Sequence, residues 1–211
     1  MKLIERKQYL EKLINVIGTP DIKVITGVRR SGKSKLLEAF RGYVERNVSD
    51  CNIIHMISEA EITGKGYVHW KSWHETYTGL VDSGYMEKLT LQRCIEMAHR
   101  WPQNTLVAKD GDQVIGFVCY GQSGTPDWGE IFAIYVLAEY YGQKVGYELM
   151  NAAFEKLSAY PKIVLWVLKG NQRAIRFCGG YGFHLDSAQK DIKLGTPNTE
   201  LRMIYDCEAV I

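Results

Sequence analysis

Net charge is nearly absent from this chain. Its 211 residues hold 26 Lys and Arg against 24 Asp and Glu, a balance of +2. No polybasic arm stands out, because the basic residues are interleaved with Glu and apolar positions, so no nucleic-acid partner is expected. Paired cysteines are also missing. The five present are Cys51, Cys94, Cys119, Cys178 and Cys207, an odd number without a C-x-x-C spacing. Such a set reads as reduced thiols of a cytoplasmic protein. No apolar run approaches the ~20 residues of a membrane span, so no membrane partner is expected. The opening Met1-Lys2-Leu3-Ile4-Glu5-Arg6-Lys7-Gln8 has no apolar core of signal-peptide length. There is no internal repeat, no low-complexity tract and no G-x-S-x-G nucleophile turn. His69 and His74 are five apart, not the four that put two ligands on one helix face, so no metal site is expected.

What is present is ordinary for a globular chain: 46% apolar and 24% charged residues. The length allows one domain of roughly 150 residues plus a smaller piece. Charge marks the division. Residues 1–50 hold 11 Lys and Arg against 6 Asp and Glu, whereas residues 51–211 hold 15 against 18.

The first 50 residues read as a helix over 3–17, a β-rich run Ile22–Thr26, a turn Gly27–Ser34 and a helix to about Asn47. The turn, Gly27-Val28-Arg29-Arg30-Ser31-Gly32-Lys33-Ser34, fits the phosphate-loop pattern G-x-x-x-x-G-K-[ST]. There glycine backbone N–H groups surround phosphate oxygens, Lys33 brings a positive charge and Ser34 a Mg²⁺ ligand. This segment resembles the opening of bacterial and archaeal AAA-like P-loop ATPases. The resemblance stops after the first helix, and no apolar strand ending in Asp follows to complete a Mg²⁺ site. A truncated leader over 1–50 is therefore expected. A working ATP and Mg²⁺ site at Gly27, Gly32, Lys33 and Ser34 is the alternative.

From residue 52 onward the pattern is α/β. The sequence predicts a strand at Ile53–Ile57, a helix near 62–80 and another over about 89–100. A hairpin follows, 106–109 and 114–120 around Asp110-Gly111-Asp112. Beyond it come a strand at 130–137, a helix at 145–158, a strand at 163–168, a helix from Asn171 to about Cys178, and strands at 190–194 and 200–206. The run Gly179-Gly180-Tyr181-Gly182 is expected to stop the last helix.

One stretch carries the chemistry. Glu130-Ile131-Phe132-Ala133-Ile134-Tyr135-Val136-Leu137 is an apolar strand. It runs through Tyr141-Gly142-Gln143-Lys144 into a helix beginning Val145-Gly146-Tyr147. A helix start offers unpaired N–H groups and a positive dipole end, which suits a pyrophosphate. This stretch resembles the [Q/R]-x-x-G-x-[G/A] signature of the GNAT superfamily of N-acetyltransferases. Tyr141 stands where Gln or Arg is usual, Lys144 where the first Gly is usual, and Gly146 matches. Asn171-Gln172-Arg173-Ala174-Ile175-Arg176-Phe177 followed by Gly182-Phe183 resembles the superfamily's N-x-x-A-[IR]-x-F…G-F segment. Trp73-His74-Glu75-Thr76-Tyr77-Thr78-Gly79-Leu80 resembles the first helix of a bacterial subgroup. The similarity spans about residues 52–206.

The resemblance implies a mixed, mostly antiparallel twisted sheet with flanking helices. The strands at 130–137 and 163–168 should be parallel and splayed around acetyl-CoA. It implies cofactor contacts from Tyr135, Val136, Leu137, Tyr141, Gly142, Gln143, Lys144, Val145, Gly146, Tyr147, Asn171 and Phe177. Glu130 is the implied base. The usual acid, a Tyr after the Phe of the last helix, is replaced by Cys178, with Tyr181 close by in sequence. Trp73 and Tyr77 are candidates for the amine pocket. The acceptor would be a small-molecule or peptide amine, and many relatives are homodimers. A catalytically silent acyl-CoA-binding module, or a nucleotide-binding P-loop protein, are the alternatives.

Overall fold

The computed structural model describes residues 7–15, 17, 36–37, 39–40, 43, 47 and 58–207. The chain forms two compact units, Met1–Ile54 and His55–Ile211. In the first, helix α1 spans Lys7–Ile14. Residues 36, 37, 39, 40, 43 and 47 are helical, and the Asn47 side-chain amide donates to the Tyr43 carbonyl at 2.8 Å. The expected strands Ile22–Thr26 and Ile53–Ile57, and the phosphate loop with Gly27, Gly32, Lys33 and Ser34, lie outside the described residues.

The second unit opens with helix α2, Glu59–Tyr77. It starts earlier than its aromatic periodicity suggests, because Ser58 and Glu61 close a reciprocal capping box. A short helix α3, Ser83–Lys88, was not apparent from the sequence. Its cap is Asp82, whose carboxylate accepts from the Tyr85 N–H at 2.9 Å. Helix α4, Leu91–Arg100, is capped by Thr90. It packs against α2 where Gly66 lies so near that an added Cβ would be 2.6 Å from Ile95 Cα.

Six strands follow: β1 Thr105–Asp110, β2 Gln113–Gln122, β3 Trp128–Val136, β4 Lys162–Leu168, β5 His184–Leu194 and β6 Thr196–Asp206. Helix α5, Val145–Lys156, precedes β4, and helix α6, Gln172–Tyr181, follows it. They form one sheet in the order β1-β2-β3-β4-β6-β5. Every neighbouring pair is antiparallel except β3 with β4. The hairpin expected at Asp110–Asp112 is present, with Gly111 at φ +57°. Strand β5 begins six residues before the expected start and is broken by a bulge between Leu185 and Gln189. Helix α6 runs through Gly179 and Gly180 instead of stopping at them. It ends at Gly182, whose φ of +121° favours glycine and whose N–H returns to the Cys178 and Gly179 carbonyls.

Each face of the sheet is covered. Ile131, Ile134 and Val136 of β3 pack with Leu149, Met150 and Ala153 of α5. Ala133 and Tyr135 pack on the other side with Val68 of α2 and Phe117 of β2. Phe132 belongs to neither alternation. Cys119 of β2 pairs with Ala133 and Tyr120 with Ile131, so Phe132 is the extra residue of a β-bulge. The parallel pairing of β3 with β4 ends at the same point, at Ile131 and Leu165. Beyond it β4 stays with β6 and β3 with β2, and the two strands part as the resemblance implied.

Gly66→Ala should destabilise this unit by about 1–3 kcal/mol, because backbone rather than a mobile side chain blocks the methyl group. Urea denaturation checks it. An unchanged midpoint would show that α2 and α4 can move apart freely.

Candidate active site

The parting of β3 and β4 opens a cleft of about 490 Å³. One wall is the β3 segment Ile131–Val136, whose edge towards β4 has no ladder partner beyond Ile131. The opposite wall is Leu165–Val167 of β4, with Asn171, Phe177 and Cys178 at and on α6. At one end lie Tyr141, Gly142 and the start of α5. That start is unlike those of the other α-helices of this unit. α2, α3, α4 and α6 are each capped by a side chain, from Ser58, Asp82, Thr90 and Asn171. The N-cap of α5 is Lys144, which offers no side-chain acceptor. Its first N–H groups therefore face the cleft end without a protein cap, the arrangement that binds phosphate oxygens.

The departures from the signature have structural counterparts. Lys144 sits at φ +64°, ψ 2°, in the left-handed region. That conformation explains why glycine is usual there. Gly146 brings α5 against β3 and α6: an added Cβ would lie 3.3 Å from the Phe177 ring and 3.8 Å from Val136. Tyr141, where Gln or Arg is usual, is covered by the Arg173 guanidinium at 4.2 Å from its ring centroid. Arg173 also donates to the Thr76 hydroxyl at 2.9 Å and lines the cleft. Where the signature can place an Arg, this chain has Tyr141, and α6 brings the Arg173 guanidinium to the same place.

Of the expected cofactor contacts, Tyr135, Val136, Tyr141, Gly142, Lys144, Val145, Gly146, Tyr147, Asn171 and Phe177 line the cleft. Leu137 and Gln143 do not. Leu137 is fully buried and donates its N–H to the Ile115 carbonyl at 2.9 Å. The Gln143 side chain donates to the Glu139 carbonyl.

The aromatic pair divides differently from expectation. Tyr77 lines the cleft itself, and Trp73 stands behind it, with ring centroids 4.6 Å apart. Trp73 Nε1 donates to the Tyr135 hydroxyl at 2.9 Å, and the Tyr77 hydroxyl interacts with the side chains of Asn171 and Tyr135. Desolvation, the largest cause, pushes the pKa of both tyrosines up. They remain neutral hydrogen-bonding groups at physiological pH.

Cys178 lines the cleft, is 3% exposed, and burial pushes its thiol up to about 12. Tyr181 does not reach the cleft. Its hydroxyl donates to the Asn151 side chain at 2.6 Å, and its ring packs among Tyr147, Phe154 and Phe183. A proton from Tyr181 has no direct route to the cleft in this arrangement. Glu130 lies two residues before the bulge and pairs with Val164 of β4. Burial raises its pKa, Lys190 opposes the rise and Glu200 adds to it. Glu130 lines neither the cleft nor the cavity described next.

That second cavity, about 500 Å³, shares Phe132, Ala133 and Tyr135 with the first. It is built by Lys65 and His69 of α2, Trp101 after α4, and Phe117 and Cys119 of β2. His69 stacks on Tyr135 with ring centroids 5.5 Å apart. Desolvation, then the charge of Lys65, lower its pKa to about 4, so it is neutral near pH 7. None of these groups was singled out in sequence as a site residue. Lys65 and His69 share a face at i and i+4, the signal that was available. Two chambers thus meet at a bulged strand, one ending at an uncapped helix and one ending at a buried lysine.

The family model for the GNAT acetyltransferases matches residues 68–183. The chain belongs to the GNAT family. An uncharacterized N-acetyltransferase of Archaeoglobus fulgidus is 32% identical over 111 residues, 49% of this chain and 76% of that protein. An uncharacterized protein of Haemophilus influenzae is 44% identical over 59 residues, 28% of this chain but only 15% of that protein's length. Among solved structures, the PaiA N-acetyltransferase of Thermoplasma acidophilum in complex with coenzyme A superposes with a TM-score of 0.58. The identity is 19%, with 74% of this chain and 98% of that one covered. This likeness establishes the GNAT fold, with its mixed six-stranded sheet.

Lys144→Gly should stabilise this GNAT domain by about 0.5–1 kcal/mol, the relief of a left-handed non-glycine residue less the chain entropy that glycine adds. The same change removes a cation from the cleft end and should weaken acetyl-CoA binding a few-fold. Urea unfolding and calorimetry read the two effects separately.

Proposed function

We propose that residues 52–206 transfer an acetyl group from acetyl-CoA to a primary amine, and that the cleft between β3 and β4 is the cofactor site. The observation that carries this reading is the continuity of one cleft from the bulge at Phe132 to the uncapped N-terminus of α5. The residues present fit the cofactor. The free edge of β3 offers main-chain groups to an extended pantetheine arm, as a strand edge does to any added strand. The α5 N–H groups, Lys144 and Arg173 suit the pyrophosphate.

Acetyl-CoA, when bound, supplies a thioester: the amine nitrogen bonds to the acetyl carbon as the carbon–sulfur bond breaks and CoA leaves as the thiol. The chain's part is to hold the two reactants together and manage charge. The bulge removes Phe132 from the β2 ladder, so backbone groups at this point are available to the acetyl carbonyl oxygen. The Tyr77, Tyr135 and Asn171 side chains order the junction of the two cavities. Glu130 is the base in this reading, reached from the amine through water, with a pKa shifted upward in the direction that suits proton uptake. Cys178 packs the cleft; a thiol near 12 is a weak proton donor at neutral pH.

Residues 1–50, whose Gly27–Ser34 resembles an AAA-like phosphate loop, are proposed to be a leader outside this chemistry. A cytoplasmic setting is consistent with Cys94, Cys119, Cys178 and Cys207 all being free. Among the described residues, no helix is long and apolar enough to cross a membrane.

Calorimetry with acetyl-CoA, beside a thiol-release screen over amines, tests the reading. Gly146→Glu should abolish acetyl-CoA binding, since the side chain meets both Phe177 and the pyrophosphate position. Unchanged affinity would remove the cofactor site from α5. Glu130→Gln should slow transfer by about 10²–10⁴ at neutral pH, with a smaller loss at high pH, where more amine is already neutral. It should also raise the melting temperature at neutral pH. A raised folded-state pKa makes the ionised Glu a stability cost above that pKa, and the gain should shrink as pH falls through the raised value and vanish below 4.5, the group's ordinary value. An undiminished rate profile would assign the proton to solvent.

A further inference from the structure

The second cavity carries information about the acceptor. Lys65 is 6% exposed. Its ammonium donates to the Trp101 carbonyl at 2.8 Å and to the Thr105 hydroxyl at 3.0 Å, and lies 5.6 Å from the Phe117 ring centroid. All three partners are neutral. Among the described residues Lys65 has no ion-pair partner, and no Asp or Glu lines the cavity. The Thr105 hydroxyl accepts from Lys65 and has two neutral neighbours for its own proton, the Gln103 carbonyl at 3.2 Å and the Cys119 sulfur at 3.4 Å. An ammonium has three N–H groups, and two are accounted for. A buried cation without a counter-charge is costly. The open space beside it is the place from which an anion can come.

Resting on the acetyltransferase reading, we propose that this cavity binds an amine acceptor that also carries a carboxylate, held by Lys65, with an aromatic-sized apolar body between the two groups. The dimensions come from the rings. Lys65 lies over Phe117, Phe117 is 5.5 Å from Tyr135 between centroids, and Tyr135 is part of the wall shared with the cofactor cleft. A carboxylate at Lys65 thus leaves the amine at the far end, by the bulge. Phe117, Trp101 and Phe132 supply apolar walls for the body. The same charge pattern disfavours polyamines. A second cation would enter a cavity that already holds one and offers it no carboxylate.

The test compares 4-(aminomethyl)benzoate with 4-(aminomethyl)benzamide, which keep the ring and the primary amine and differ in the anion. Spermidine serves as the polycation. The wild-type protein should acetylate the benzoate with a kcat/KM about 10–100-fold above that of the benzamide, the range of a charge-assisted contact. Spermidine should be poorer than either. Lys65→Met should erase the difference, mainly through KM, with acetyl-CoA affinity unchanged, and Lys65→Arg should keep it. Equal use of benzoate and benzamide by the wild type overturns the proposal, as does a preference that survives in Lys65→Met. The wild-type comparison decides even if both variants fail to fold. Loss of acetyl-CoA binding by the wild type would instead sink the acetyltransferase reading. Direct calorimetric binding of the benzoate to wild type against Lys65→Met would then still decide the role of Lys65.

Discussion

The parting of β3 from β4 is the constraint on which the rest of this domain depends. Four parallel pairs, Trp128 with Lys162 to Ile131 with Leu165, hold the two strands together. Then the bulge at Phe132 shifts the phase of β3, and the strands follow different neighbours. Each remaining half stays fully paired on its outer side, β3 with β2 and β4 with β6. The gap is therefore stable without a ligand, because neither strand relies on the other for most of its hydrogen bonds. Unpaired backbone inside a protein is costly, and here it is confined to the edges that face the cleft.

The second requirement is an anchor at the cleft end, and α5 provides it by omission. The four other α-helices of the unit each close their first turn with a side chain. α5 begins instead with a strained lysine, two residues before Gly146, which lets the Phe177 ring approach. A stabilising cap would compete with a phosphate for the same N–H groups. The domain leaves these donors open at the site where a ligand can satisfy them, a common exchange of local stability for function.

Much of this was legible in the chain. The apolar runs at 130–137 and 163–168, the Gly-bearing turn between β3 and α5, and Asn171 as a helix start gave the elements and their order. Ser58 was missed because the capping box lies ahead of the aromatic periodicity. Helix α3 has six residues, too few for a phase to show. Gly179 and Gly180 looked like a stop, yet both face open space where a missing side chain costs no packing. The stop needs a positive φ, and Gly182 adopts it. The bulge was invisible for a different reason. In a strand where almost every residue is apolar, an extra residue leaves no mark on the alternation. Lys65 was hidden by its type, since a lysine in a helix is usually at the surface. Only the fold shows it 6% exposed.

The two cavities are separated by a single strand, and Tyr135 is in contact with both sides of the partition. Its hydroxyl is tied to Trp73, its ring to His69 and Phe117, and the residue lines both cavities. No second layer insulates one chamber from the other. A ligand that displaces this residue from one side must alter the space offered on the other. By thermodynamic reciprocity the effect has the same size in both directions. For ligands in the two chambers, mutual affinity would then depend on where this one side chain sits, a coupling set by the thickness of the wall.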